Sequence, residues 1–347
     1  MSSPTLIRAR AARPYRSREL CERRYLLRKE SMKSNKKLNL RKFYIGVDVG
    51  GTSIKFGVFD GSKKFIDKFS VVTQFREKNA EKAIVAEMLA AIENYCDNNK
   101  YGVTKSKIAG IGFAIPGPVV NNQVLRAVNI NWKKKYDIVK ETKKRFGSKV
   151  NVKVYNDANA AALGEYKETL KGKYKSICLM TLGTAVGIGI IINGKLIEGK
   201  SGVAGELSHL KVDFSEDALK CNCGNTGCLE TVTGGRGIAN VYNKMYNTNI
   251  AHDAQEVIRH AKEGDEKALA ALEKSLDYLS MVISIIMLVY EPEIILIGGG
   301  VSNEGTFITD IIMRHLKEKV YITNTFPKII IAKLKNQAGF YGAVSEL

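Results

Sequence analysis

From Tyr44 to Asp60 the chain reads YIGVDVGGTSIKFGVFD. Apolar residues form a run that ends on Asp48, break at Val49-Gly50-Gly51-Thr52, and resume through Ile54, Phe56 and Val58 as a returning strand. The segment Ile177 to Ile191, ICLMTLGTAVGIGII, repeats the pattern: an apolar strand enters Gly183-Thr184 and a second begins at Ile188. Between these hairpins the pattern predicts a third strand over Phe65–Val72 and a helix over Glu81–Asn98. A buried strand over Ile108–Ile115 follows, emptying into Pro116-Gly117-Pro118. Val152–Asp157 reads as a short strand ending on Asn156-Asp157, and Ala158–Glu168 as the helix after it. The last third is largely helical, over Gly237–Tyr246, Asp253–Lys262 and Glu266–Tyr290, and Asp253 with Glu256 forms a capping-box pattern. A strand over Glu293–Ile297 then runs into Gly298-Gly299-Gly300, which opens a helix near Glu304. Ile329–Ala332 closes the series as a strand and Ala338–Ser345 as a helix. Hairpin, extra strand, helix and strand in succession predict an α/β fold.

The two hairpin turns carry the first chemistry. Gly50 and Gly51 let backbone amides approach an anion, Thr52 adds a hydroxyl, and Gly183-Thr184 offers the same grip. Two such turns facing one another across a cleft would hold a polyphosphate from both sides. Asp48, at a strand end, is placed to hold a metal ion or a water beside it. The Gly298-Gly299-Gly300 turn suits a nucleotide's phosphates or its flat base. The Pro-Gly-Pro turn reads equally as a structural corner or a ligand loop. Amides near the single tryptophan, in Ala127-Val128-Asn129-Ile130-Asn131-Trp132, suit either a loop or a hydroxylated ligand. Asp157 has two readings at its strand-to-helix boundary: helix N-cap, or general base aimed into a cleft. Cys221, Cys223 and Cys228 stand in C-x-C-x4-C spacing within a glycine-rich loop. His209 upstream is the natural fourth ligand of a closed Cys3His zinc site. Glu206 and Glu230 flank that knot, either as solvated surface charges or as groups the knot fixes in space.

Composition changes this picture little. A chain of 347 residues can bury two domain cores, and 45% hydrophobic with 26% charged residues is ordinary for a globular protein. The net charge of +19 would suggest nucleic acid, but residues 1–42 hold 14 Lys/Arg against Glu19, Glu22 and Glu30. That segment alone carries +11, leaving +8 for the other 305 residues. It has no secretory apolar core; a nucleic-acid tail and a transit-like sequence are alternatives, but it reads foremost as a disordered basic arm or as an extension upstream of a start at Met32. It is too short for a complete winged helix-turn-helix domain, so it offers at most nonspecific nucleic-acid binding. The best apolar run, Leu279–Tyr290, is too short to span a membrane, and six cysteines with three clustered do not suggest a disulfide scaffold. A cytoplasmic location is expected.

Together Asp48-Val49-Gly50-Gly51-Thr52, Asn156-Asp157-Ala158-Asn159-Ala160-Ala161, Gly205-Glu206 with His209, and Cys221-Asn222-Cys223-Gly224 through Gly227-Cys228-Leu229-Glu230 resemble the ROK family (repressors, open reading frames and sugar kinases). The resemblance runs over residues 43–347. It implies an actin-like, hexokinase-type (ribonuclease H-like) fold, with α/β domains expected at 43–156 and 157–347 around a ligand cleft, and a final helix packing back on the first domain. It further implies ATP-dependent phosphorylation of a hexose, glucose foremost, with Asp157 as general base. Asn129, Asn156, Glu206, His209 and Glu230 would hydrogen-bond the sugar. Gly50, Gly51, Thr52, Gly183 and Thr184 would hold phosphates beside Asp48 and Mg2+. Gly298, Gly299 and Gly300 would lie against adenosine, and His209 would serve both Zn2+ and the sugar. The family also implies a homodimer. N-acetylmannosamine, N-acetylglucosamine, mannose or fructose is the alternative substrate, and a sugar-responsive repressor the alternative function. The chain departs from the family pattern at Ala185, where the second phosphate loop usually has glycine, at Ser208, and in the shortened Asn129–Trp132 turn.

Overall fold

Two five-stranded sheets with the same wiring organise the protein. The computed structural model describes residues 42–74, 79–98 and 100–347, so nearly all of the basic arm lies outside the described residues. In the first sheet, β1 (Phe43–Val49), β2 (Ser53–Asp60) and β3 (Phe65–Val72) form an antiparallel meander, and β4 (Ile108–Ile115) and β7 (Asn151–Asn156) extend it in parallel, in the order β3-β2-β1-β4-β7. The hairpin β5 (Val119–Val120) and β6 (Gln123–Val124) stands apart from it. The second sheet has the order β10-β9-β8-β11-β12, from β8 (Ile177–Leu182), β9 (Val186–Ile192), β10 (Lys195–Leu196), β11 (Ile294–Gly298) and β12 (Lys328–Ile331). The repeated hairpins therefore occupy equivalent places, β1–β2 in one sheet and β8–β9 in the other.

The central strands read as near-continuous apolar runs because both their faces are covered. Ile45, Val47, Ile54, Phe56, Ile111 and Phe113 are fully buried under α1 (Ala80–Asp97), whose Ile84, Met88, Leu89 and Ile92 recur at helical spacing. Burying each such side chain contributes roughly 1.5–3 kcal/mol. On the second sheet, Met180, Ile188, Ile190, Ile295 and Ile297 pack with α7 (Glu266–Tyr290). That helix starts at Asp265, whose carboxylate accepts from Lys267 and Ala268 N–H at 2.8 and 3.1 Å, and stops before Pro292, which cannot continue it. The same layer holds α5 (Gly234–Tyr246), α6 (Ala254–Lys262) and α8 (Thr306–Lys319). Asp253 caps α6 as expected, accepting from Glu256 N–H at 3.0 Å. The return bond runs from His252 N–H to Glu256, one residue earlier than a capping box requires.

Several expected boundaries shift. A helix unread in the sequence, α2 (Ile138–Phe146), is capped by Asp137. The helix after β7, α3 (Asp157–Gly164), ends early in a wider π turn over Glu165–Thr169. A 3-10 turn over Gly300–Glu304 separates the Gly298–Gly300 corner from α8. A short helix, α4 (Leu229–Val232), follows Cys228, and the chain ends in α9 (Ala338–Val344). That last helix packs on β1 and β4 and also crosses α3. Residues 43–347 form one compact unit.

Candidate active site

Two adjoining cavities meet at Asp157. The larger, of about 470 Å³, is walled by the Pro116-Gly117-Pro118 loop, by Asn129, and by Glu206, His209 and Glu230. The smaller, of about 210 Å³, lies between Asp48 and Lys55 of the first sheet and Thr181, Gly183, Gly298 and Gly299 of the second. Asp157, Ala158 and Thr181 line both.

The sequence at 156–157 explains how Asp157 is presented. Asn156, not Asp157, is the N-cap of α3: its side-chain oxygen accepts from Ala158 and Asn159 N–H at 2.9 and 3.1 Å. Its amide nitrogen donates to the Gly117 carbonyl at 3.1 Å, tying the Pro-Gly-Pro loop to the helix start. Gly117 has φ 88°, and a Cβ there would come within 2.0 Å of the Arg126 oxygen, so only glycine fits. Asn156 thereby spends its oxygen on the cap. The cap reading of Asp157 is corrected, because an amide one residue earlier does that work. Asp157 is the first helical residue; its carboxylate accepts from Ala158 N–H at 2.9 Å, and its own backbone N–H and the Asn156 side chain also hydrogen-bond to it. Burial holds its carboxyl above the ordinary aspartate value, opposed by these hydrogen bonds.

The larger cavity collects the remaining candidate sugar ligands. Asn129 is exposed on a 3-10 turn, and the buried Trp132 anchors that turn through mutual backbone hydrogen bonds with Ala127 at 3.0 and 2.9 Å. Glu206 faces His209, with Oε2 4.0 Å from Nε2. Burial pushes the Glu206 carboxyl up; His209 opposes this, while Asp157 and Glu230 reinforce it.

His209, Cys221, Cys223 and Cys228 bring their ligand atoms within 4.8 Å of one another. The Cys223 and Cys228 sulfurs are 3.7 Å apart, and Cys221 Sγ is 3.5 Å from His209 Nδ1. A tetrahedral zinc site with ordinary bond lengths has edges of about 3.8 Å between sulfurs and about 3.5 Å from sulfur to nitrogen. The four side chains fit such an ion. His209 Nδ1 faces the sulfurs while Nε2 faces Glu206 and the cavity. Glu230 Oε1 accepts from Cys221 Sγ at 2.7 Å and lies 3.7 Å from His209 Nδ1, so the knot and the cavity wall share this carboxylate.

In the smaller cavity, burial lifts the Asp48 carboxyl to about 6; the Lys55 charge opposes this and the Asp157 charge adds to it. Gly299, at φ 80°, lies so close to the second hairpin that a Cβ would stand 2.4 Å from the Leu182 carbonyl and 2.7 Å from Gly183 N. The two glycine turns of the second sheet thus form one surface. Gly50, Gly51, Thr52, Thr184 and Gly300 are not brought to the cavity wall. Gly51 instead approaches the Asn129 carbonyl, at the 3.9 Å a Cβ would leave.

Sequence reasoning passed over Lys55, Thr181, Glu165 and Lys335 in this cavity, and Arg126 in the other. Lys55 was within reach of it: pairing the first hairpin around its turn sets Lys55 opposite Asp48. Gly234-Gly235 was a second legible signal. Gly235 N–H donates to the Gly183 carbonyl at 2.6 Å and holds the second turn from behind.

The sequence model of the ROK family matches residues 44–345. A glucokinase of Halalkalibacterium halodurans is 33% identical over 321 residues, spanning 87% of this chain and 93% of that protein. An N-acetyl-D-glucosamine kinase of Salmonella heidelberg is 31% identical over 309 residues, spanning 86% and 97%. Among solved structures, a ROK family glucokinase from Streptomyces griseus in complex with glucose and AMPPNP superposes with a TM-score of 0.69 at 28% identity, covering 87% of this chain and 97% of that one. The two-sheet architecture is the actin-like, hexokinase-type fold. With its motifs in order and the family match running through both sheets, this chain belongs to the ROK family.

Proposed function

We propose that the protein is an ATP-dependent sugar kinase that phosphorylates a hexose, with glucose as first substrate and glucose 6-phosphate as product. The observation that carries this reading is the shared wall at Asp157. One carboxylate borders both a hydroxyl-binding cavity and a glycine-lined one, where an acceptor hydroxyl and a phosphoryl donor would meet. In the reaction the sugar oxygen forms a bond to the γ-phosphorus as the bond to the bridging oxygen breaks, and the departing electron pair leaves on the β-phosphate of ADP. Asp157 accepts the hydroxyl proton. Its raised pKa brings it nearer to working pH and makes it a stronger base than an exposed aspartate.

Glu206, His209, Glu230 and Asn129 would hydrogen-bond the sugar hydroxyls, and Asn156 would position Asp157. Asp48 faces the donor cavity, which fits a carboxylate that holds Mg2+; the ion supplies charge neutralisation to the phosphates when bound. Gly183, Gly298 and Gly299 would bear against the nucleotide, and the Cys3His cluster would hold a structural Zn2+ that fixes His209 in one tautomer. The lobes 43–156 and 157–347 would act as the two jaws of a kinase working in cytoplasmic sugar metabolism, as a homodimer. The similar glucokinase and N-acetyl-D-glucosamine kinase relatives make glucose and its 2-acetamido analogue the sugars to compare. Their kcat/KM values, with those of mannose, fructose and N-acetylmannosamine, should be measured by ADP release with Mg-ATP. The reading expects glucose to exceed the others at least tenfold, and a higher value for an N-acetylhexosamine would reassign the substrate.

A further inference from the structure

A fully buried carboxylate stands at the far end of the helix that presents Asp157. Glu165 directly follows α3 and opens the π turn Glu165–Thr169, about 12 Å along the axis from Asp157 at 1.5 Å per residue. At 0% exposure it is the most buried carboxylate among the described residues, and it borders the donor cavity. Burying such a charge costs stability unless donors meet it. One donor does: Leu334 N–H, 169 residues further on, reaches Oε1 at 2.5 Å. Oε2 has no hydrogen-bond partner among the described residues. Packing alone would favour an apolar side chain here, so the reason for a carboxylate lies in what it does for Leu334.

Leu334 starts the turn between β12 and α9. Its carbonyl accepts from Gln337 N–H at 3.0 Å, and between them Lys335 adopts φ 51°, a left-handed backbone that side chains disfavour. Lys335 and Asn336 are exposed, and both line the donor cavity. The turn leads into α9, where Gly339 lies against the Asp48 carboxylate. A strained, exposed turn keeps one shape only where its ends are held, and Glu165 ties its start to α3. We infer that Glu165 is a positioning residue for the nucleotide. By holding Leu334 N–H it sets the Lys335-Asn336 turn as one wall of the donor cavity, in fixed register with Asp157 at the other end of α3. The inference rests on the kinase reading above, with the nucleotide in the smaller cavity. In this role the oxygen of Glu165 is needed to accept a hydrogen bond, and its charge is not.

The test compares wild type, Glu165→Gln and Glu165→Met in the full chain. It measures Mg-ADP and glucose binding by calorimetry, together with the kinetics of glucose turnover with Mg-ATP. Glutamine keeps an acceptor for Leu334 N–H, whereas methionine has similar length and none. Glu165→Met should weaken ADP binding and raise the ATP KM about tenfold each, with kcat within about threefold and glucose affinity within about twofold. Glu165→Gln should stay within about twofold of wild type in every one of these. A side chain that only supported the fold would lower the melting temperature without separating nucleotide from glucose. Unchanged ADP affinity in Glu165→Met, parallel loss of ADP and glucose, or equal loss in both variants would overturn the assignment. An inactive wild type whose ADP affinity still falls only in Glu165→Met would sink the kinase reading and keep the tether. An active wild type whose ADP affinity ignores both substitutions would do the reverse.

Discussion

At the scale of single residues, the site rests on a division of labour between neighbours. Asn156 caps α3 and ties it to Gly117, which leaves the Asp157 carboxylate to face the cleft. The sequence placed a carboxylate at a strand end but gave no means to choose between cap and base, since either residue of an Asn-Asp pair can cap. Only the hydrogen bonds decide it. Burial raises the Asp157 pKa in the folded chain above its unfolded value, near 3.8. The folded state therefore favours the protonated acid, and ionisation as pH rises through that window costs stability. Asp157→Asn should for this reason melt higher than wild type at pH 7.5 without ligand, and the gain should vanish below pH 3.8. A variant that melts lower at pH 7.5 would contradict the burial of this charge. In the wild type, kcat/KM should fall on acidification with an apparent pKa above that of an ordinary aspartate.

At the scale of elements, α3 and α9 meet at backbone distance. A Cβ on Gly342 would lie 1.6 Å from the Ala160 carbonyl, so the helices touch only because this position is glycine. Since α3 begins at Asp157 and Gly339 of α9 lies against the Asp48 carboxylate, this contact registers the two carboxylates to one another. Gly342→Ala should destabilise the fold by about 3 kcal/mol in urea unfolding, through overpacking, and lower kcat more than it raises the glucose KM. Unchanged stability would mean the helices can part freely. The loop from Glu206 to Glu230 has little regular structure, and His209, Cys221, Cys223 and Cys228 gather within it at one point. Metal removal by a chelator should lower the melting temperature by about 5 °C or more and weaken glucose binding. Loss of neither would leave the cluster without a structural role. The clustering of these four side chains was legible because residues of metal-ligating type recur at short spacing. The α3–α9 contact was not, because a glycine's reason lies in a partner nearly two hundred residues away.

At the scale of the whole molecule, one wiring diagram appears twice. The repeat of strand, glycine turn and strand at 44–60 and 177–191 gave away the equivalent hairpins β1–β2 and β8–β9, and apolar periodicity located the other principal strands. Which turns reach the cavity was not legible. Gly183 does and Gly50 to Thr52 do not, because that depends on how the two sheets are set against each other. The same juxtaposition brings Asp48, Lys55 and Asp157 from three strand ends to one cavity. It also makes Asp157 the hinge of the whole account, as the one carboxylate shared between acceptor and donor sides. The most direct measurement is therefore ADP release with Mg-ATP and glucose for wild type and Asp157→Asn, with glucose affinity of both measured by calorimetry. The account predicts turnover by the wild type, a loss of about 10²–10⁴-fold in kcat for the variant, and glucose affinity within a few-fold. Equal turnover by both proteins would contradict it, as would a variant that loses sugar binding and rate together.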